Sequence, residues 1–106
     1  MSDLPWTHTE KQAARLAFDT ALARESAALL DTFNRRAAEV RAVRELWALE
    51  DDLARWRRDM DEKYDFRYSR LVFVLARLLR EGWLKDADLD GLDAAKREAI
   101  RALSQA

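Results

Sequence analysis

The sequence contains no cysteine, and its 106 residues include only one proline and two glycines. Without cysteine the chain forms neither disulfides nor thiolate metal sites, and it has no cysteine nucleophile. No glycine or proline occurs between Pro5 and Gly82, so a long stretch lacks the residues that usually form turns. The composition therefore predicts an all-α fold.

Long apolar runs and an excess of one charge are also missing. No stretch of about 18 apolar residues occurs, and the first residues do not join a basic region to an apolar one. We therefore expect a cytoplasmic protein without membrane insertion. The 19 basic and 20 acidic residues give a net charge of −1, which offers no general attraction for nucleic acid. A protein partner is expected instead.

Helical signals divide the chain into three predicted segments. Thr7 and Glu10 have the spacing of a capping box, which predicts a helix starting near His8. Apolar residues three, four and seven apart continue that helix to about residue 62. Mediocre helix formers within it leave a bend open. A second helix is predicted for about residues 66–81, with Gly82 as its C-cap, and a last one for about residues 93–103.

We expect a single domain, residues 1–106, with a long helical stalk at 1–62 and a small helical head at 63–106. A helix of about 50 residues spans about 75 Å, whereas a globule of this size is about 26 Å across. The apolar side of the stalk must therefore fold back or pack on a second copy, and we expect a homodimer. Its predicted interface consists of Val40, Leu46, Leu49 and Leu53.

Residues 86–91 match the first half of a calcium-binding EF-hand loop, with acids at positions one, three and five and glycine at six. The second half fails, because the twelfth position is Arg97 in place of a bidentate glutamate. His8, the only histidine, has no second strong ligand or nucleophile beside it. The acidic clusters have arginine neighbours typical of a solvated helix face. We expect no metal, no cofactor and no enzymatic activity.

Trp47 is the most informative aromatic residue. It lies about 100° around the helix from Leu46, so it points away if Leu46 belongs to the seam. Asp51 follows one turn later, Arg58 continues the stripe, and Arg57 lies about 80° from Trp47. Tryptophan and arginine are enriched in binding hot spots, although a helical tryptophan is more often part of a core. The pattern alone leaves both interpretations open.

Three stretches of this sequence resemble the fluorescence recovery protein family. They are residues 45–53 (ELWALEDDL), 61–69 (DEKYDFRYS) and 71–84 (LVFVLARLLREGWL). The PWT sequence at 5–7 and residues 96–103 extend the resemblance over nearly the whole chain. It implies a small helical dimer that binds photoactivated orange carotenoid protein, speeds its return to the resting form and ends quenching of the phycobilisome.

The resemblance also implies roles for individual residues. It assigns partner binding to Trp47, Asp51 and Arg57, and it assigns Phe73 to a contact made by the head. Two positions depart from the family pattern: Glu50, beside the functional aspartate, replaces a frequent histidine, and Ala99 replaces a basic residue. A further possibility is therefore a divergent relative, a helical dimeric adaptor for an unrelated partner.

Overall fold

The computed structural model describes residues 5–106, and within them the chain is entirely helical apart from turns and connections. Its elements are α1 (His8–Glu39), α2 (Val43–Lys63), α3 (Tyr68–Glu81), a 3₁₀ helix (Asp86–Leu89) and α4 (Ala94–Ser104). The prediction of an all-α fold with a long first helix is confirmed.

The capping box predicted at the start of α1 is present. The backbone N–H of Glu10 donates to the Thr7 hydroxyl at 3.1 Å, and the Glu10 carboxylate accepts from the Thr7 N–H at 3.1 Å. These bonds satisfy donors that have no partner inside the helix. The helix accordingly begins at His8, as predicted.

The helical region predicted from His8 to about residue 62 is interrupted at residues 40–42, so the bend that the sequence left open is a break between two helices. The Arg41 guanidinium donates to the carbonyl oxygens of Ala38 (2.7 Å) and Val40 (3.0 Å). The backbone N–H of Arg41 donates to the Glu45 carboxylate (2.9 Å). Arg41 thus supplies partners to groups at the end of α1, while Glu45 supplies one at the start of α2. Local hydrogen bonds replace those of a continuous helix.

The second part of the predicted stalk folds back along the first. Lys63 at the end of α2 reaches Glu25 in the middle of α1, and Asp52 lies 2.8 Å from Arg36 near the end of α1. The reversed order of these contacts makes α1 and α2 an antiparallel hairpin. The described chain is therefore 53 × 25 × 25 Å, far shorter than the roughly 75 Å expected of a straight stalk.

One apolar core joins α3, α4 and their connections to the first half of α1. Its buried residues are Ala14, Ala17, Phe18, Ala21, Leu71, Val72, Val74, Leu75, Ala76, Leu78, Leu84, Leu89, Leu92 and Ile100. Each fully buried leucine contributes about 1.5–3 kcal/mol to folding. The predicted head thus shares its core with α1, which also forms half of the hairpin.

Local signals set the ends of the later helices. Gly82 has φ +86° and caps α3 in the left-handed conformation, as predicted. Arg67 is extended, so α3 begins at Tyr68 and not at the predicted residue 66. The Asp93 carboxylate accepts from the Lys96 N–H at 2.8 Å, which starts α4 one residue after the predicted position.

A buried ion pair ties the first turn of α1 to α4. The Lys96 ammonium donates to both Glu10 carboxylate oxygens at 3.1 Å and to the Pro5 carbonyl at 2.6 Å. Burial raises the pKa of Glu10, but hydrogen bonds from Thr7, Lys96 and Asp93 outweigh it and lower the pKa from 4.5 to about 2. Glu10 is therefore ionised at neutral pH.

The segment that resembles half of an EF-hand loop serves as a structural connection. Asp86 pairs with Arg101 at 2.6 Å, and Asp88 pairs with Arg24 of α1 at 2.8 Å. A Cβ atom at Gly91 would lie 2.4 Å from the Cβ of Ala13, so only glycine lets this connection approach α1 so closely. No cluster of three or more potential metal-ligating His, Cys, Asp or Glu residues occurs within residues 5–106.

Candidate partner-docking site

Trp47 and Asp51 lie on the side of α2 that faces away from α1. Leu49 marks the inner side, since it is 3% exposed, whereas Trp47 is 55% exposed. At about 100° per residue, Trp47 is about 160° from Leu49, and Asp51 occupies the same outer stripe one turn later. An indole half in water on a helix that already buries its opposite side is available to a partner.

Arg57 is exposed but lies on the flank of α2, about 80° from Trp47. There it borders an apolar groove of about 580 Å³ between α1 and α2. The other lining residues are Ser26, Leu29, Leu30, Phe33, Leu53, Trp56 and Met60. Arg58 is exposed and continues the outer stripe of Trp47. Trp47 and Asp51 thus share a face, and Arg57 is not part of it.

The four residues predicted for a dimer interface have different environments. Leu46 is 47% exposed and Leu53 is 37% exposed, both on the flank of α2 that borders the groove. Leu49 is already buried in the hairpin, and Val40 is half-buried at the C-cap of α1. A second copy would therefore meet Leu46 and Leu53 before Leu49.

Phe73 and Glu50 are also exposed. Phe73 projects from the outer face of α3, where it is 39% exposed and the Arg70 guanidinium lies 5.1 Å from its ring centroid. Glu50 precedes Asp51 on the groove side of α2. Phe73 belongs to the head and the others to the hairpin, so the candidate residues occupy two separate surfaces.

A polar cluster, which we call the clasp, has Lys63 and Glu25 buried at its centre and the more exposed Glu81 and Tyr64 at its edge. Lys63 donates to both Glu25 oxygens at 2.9 and 2.6 Å and to Glu81 at 2.6 Å, and Tyr64 donates to Glu25 at 2.8 Å. Burial and then the Glu25 hydrogen bond raise the pKa of Tyr64. Burial also raises the pKa of Glu81, but the hydrogen bonds from Lys63 and Arg77 outweigh this effect, so the pKa of Glu81 is lowered overall.

The clasp fastens α2 to α1 and α3, and sequence patterns gave no indication of it. Glu25 and Lys63 are separated by 38 residues, so no helical spacing relates them. The groove likewise joins residues of α1, such as Phe33, to residues of α2, such as Leu53. These partners meet only because the chain reverses at residues 40–42.

Comparison with known proteins identifies the family. A sequence model described as photoprotection regulator fluorescence recovery protein matches residues 6–104. The chain belongs to the fluorescence recovery protein family. The fluorescence recovery protein of Synechocystis sp. is 38% identical over 104 residues, which cover 98% of this chain and 95% of that protein.

Solved structures of the family have the same fold. That of the fluorescence recovery protein from Synechocystis sp. matches with a TM-score of 0.92 at 38% identity, covering 96% of this chain and 100% of the other. That of the Fremyella diplosiphon fluorescence recovery protein matches with a TM-score of 0.93 at 37% identity and the same coverage. Because the family consists of photoprotection regulators, the prediction of a regulator in place of an enzyme is confirmed.

None of the helices described in residues 5–106 is both long and apolar enough to cross a membrane.

Proposed function

We propose that this chain binds photoactivated orange carotenoid protein and accelerates its return to the resting form, which ends quenching of the phycobilisome. The observation that carries the proposal is family membership over nearly the whole chain. A protein that speeds a conformational return makes no bond and breaks none. It must bind the barrier state more tightly than the activated state.

We assign docking to Trp47, Asp51, Arg57, Glu50 and Phe73. The exposed indole supports this assignment, because a tryptophan that is 55% in water gains apolar contact when a partner covers it. Arg57 borders the groove, so a partner that contacts both must wrap around the flank of α2. Phe73 supplies a second contact from the head.

We further propose a homodimer that covers the groove side of the hairpin. Leu30, Leu46 and Leu53 are 64%, 47% and 37% exposed there, which leaves apolar surface in water. Covering each leucine fully gains up to about 1.5–3 kcal/mol. The cysteine-free sequence and the proposed partner are consistent with a cytoplasmic location.

The functional test is the dark recovery of photoactivated orange carotenoid protein, followed by absorbance. We expect the unmutated chain to accelerate it. Trp47→Ala and Arg57→Leu should raise the concentration needed for half-maximal acceleration about thirtyfold, as for a hot spot of about 2 kcal/mol. Arg35→Leu is the matched control, because Arg35 is exposed elsewhere and pairs only locally with Asp31 at 3.2 Å.

Two results would separate the alternatives. If Trp47→Ala unfolds the chain, the tryptophan is part of the folded core and not of a docking patch. If the unmutated chain does not change the recovery rate, it is the divergent adaptor and serves another partner. Circular dichroism of each variant distinguishes loss of fold from loss of binding.

The oligomer is tested separately by light scattering at micromolar concentration. Leu46→Glu should convert a mass of two chains to one, because a carboxylate would then be buried against apolar groups. Leu16→Glu is the control, since Leu16 is 69% exposed on α1 near residues 87–91, away from the groove. A mass of one chain for the unmutated protein would refute the dimer.

A further inference from the structure

We propose that the outer face of α3 is a docking surface for an acidic patch on a protein partner, with Arg70 and Arg80 as its recognition residues on either side of Phe73. The inference deepens the proposed function and rests on it for the identity of the partner. The chemistry of recognition follows from α3 itself.

The arginine face consists of Arg70, Phe73, Arg77 and Arg80. At about 100° per residue these four positions fall within an arc of about 80°, so they form one stripe along α3. The helix buries its other side completely, as Leu75 at 0% exposed illustrates. The stripe therefore has no role in the core of the head.

Positive charge on this stripe is only partly balanced by the carboxylates of residues 5–106. Some arginines elsewhere have such partners, as in the pairs of Arg24 with Asp88 and Arg101 with Asp86. On the arginine face only Arg77 has one, Glu81 at 2.8 Å, and Lys63 already binds the other Glu81 oxygen.

Arg70 and Arg80 make no ion pair with any of residues 5–106. Both are exposed, so they present two cations without a direct ion-pair partner among these residues, in a chain whose net charge is −1. Carboxylates of a partner protein could form ion pairs with these two guanidinium groups.

Phe73 prepares Arg70 for such a contact. The guanidinium lies 5.1 Å from the ring centroid, a distance typical of a cation–π contact. Contact with the ring restricts the long side chain, while its in-plane N–H groups remain free to bind a carboxylate with two parallel hydrogen bonds. The exposed part of the ring can contact an apolar group at the same time.

The composition of the face favours an acidic protein surface over nucleic acid. Nucleic-acid affinity depends on many phosphate contacts, whereas this face offers three arginines, one of which is neutralised by Glu81. A small basic patch around an exposed aromatic ring matches the residue types of protein-binding hot spots. The partner we assign therefore carries clustered carboxylates beside an apolar side chain.

The first test does not depend on the orange carotenoid protein. The ¹⁵N-labelled chain is titrated with a synthetic peptide of alternating glutamate and leucine, with the same peptide carrying lysine for glutamate, and with oligothymidylate. We expect the acidic peptide to shift the amide signals of Arg70, Phe73 and Arg80, and the lysine peptide to leave them unchanged. Shifts confined to other helices would overturn the inference. Stronger binding of oligothymidylate to the same stripe would overturn the assignment of the partner class.

The second test measures the affinity for photoactivated orange carotenoid protein at low and high salt. Arg70→Glu combined with Arg80→Glu should weaken binding by about tenfold or more and flatten its salt dependence, because attraction becomes repulsion. The matching double Arg→Lys variant should lose only about threefold, since it keeps the charge but not the planar fork. Arg35→Glu is the control for a charge reversal away from α3, to be compared with each single variant, Arg70→Glu and Arg80→Glu, and it should bind like the unmutated chain.

The outcomes keep the two proposals apart. If Trp47→Ala weakens binding while the double glutamate variant binds normally with unchanged salt dependence, the inference about α3 is wrong and the proposed function stands. If the unmutated chain does not bind the orange carotenoid protein, the proposed function fails, and the peptide titration still decides whether α3 recognises acidic surfaces.

Discussion

Replacing Lys63 with methionine removes the cation of the clasp while keeping most of the apolar volume of the side chain. The Lys63 side chain is 5% exposed, and from the end of α2 it pairs with both Glu25 of α1 and Glu81 of α3. Without the Lys63 ammonium, the carboxylates of Glu25 and Glu81 lose the cation that both of them bind. We expect the chain to become less stable, because an unpaired buried charge costs more than the pair contributed.

The magnitude follows from how much compensation remains. Breaking a buried pair typically costs about 3–5 kcal/mol. Glu81 is 29% exposed and keeps Arg77 at 2.8 Å, so the greater cost falls on Glu25, whose side chain is 11% exposed. We therefore expect the lower end, about 3 kcal/mol, which corresponds to a fall in melting temperature of about 12–24 °C for a small domain.

The assay is urea unfolding followed by far-UV circular dichroism at one fixed protein concentration, because association shifts the apparent stability. Lys85→Met is the control, since Lys85 is exposed, and it should change the free energy of unfolding by less than about 0.5 kcal/mol. Adding Glu25→Gln to Lys63→Met should restore more than half of the loss, because the amide is neutral and still accepts from Tyr64. A loss below about 0.5 kcal/mol for Lys63→Met would refute the reasoning.

Three further predictions concern the head and its attachment to α1. Gly91→Ala should lower the free energy of unfolding by about 1–3 kcal/mol in chemical denaturation, because its Cβ would lie 2.4 Å from that of Ala13; equal stability would show that the connection shifts freely. Gly82→Ala should cost about 1 kcal/mol, because φ is +86° although nothing crowds the position, and Gly82→Asn should cost less in the same assay. Glu10→Gln should have a lower free energy of unfolding than the unmutated chain at neutral pH. This difference should narrow as the pH falls from 4.5 towards about 2, where Glu10 gains its proton. A difference in free energy of unfolding that stays constant over that pH range would contradict the role of the charge.

Helix ends were predictable from sequence because their causes are local. Thr7 and Glu10 are three residues apart, and Gly82 follows its helix directly, so a short window contains each signal. The reversal at residues 40–42 was not predictable from apolar spacing. It depends on side-chain hydrogen bonds of Arg41, and arginine is a residue type with high helix propensity.

The candidate site was predictable only in part. The shared stripe of Trp47 and Asp51 follows from their spacing of four within one helix, and the structure keeps both residues exposed on it. The position of Arg57 beside a groove depends on α1 lying next to α2, which is a long-range contact. The clasp likewise joins residues that only the folded chain brings together.

The division of α2 into an inner side at Leu49 and an outer side at Trp47 has a consequence for how this family can change. Substitutions at exposed positions remote from the core usually alter stability by less than about 0.5 kcal/mol. Distant sites also act nearly independently. The outer stripe can therefore accumulate substitutions with little loss of stability while Leu49 and the clasp continue to hold the hairpin.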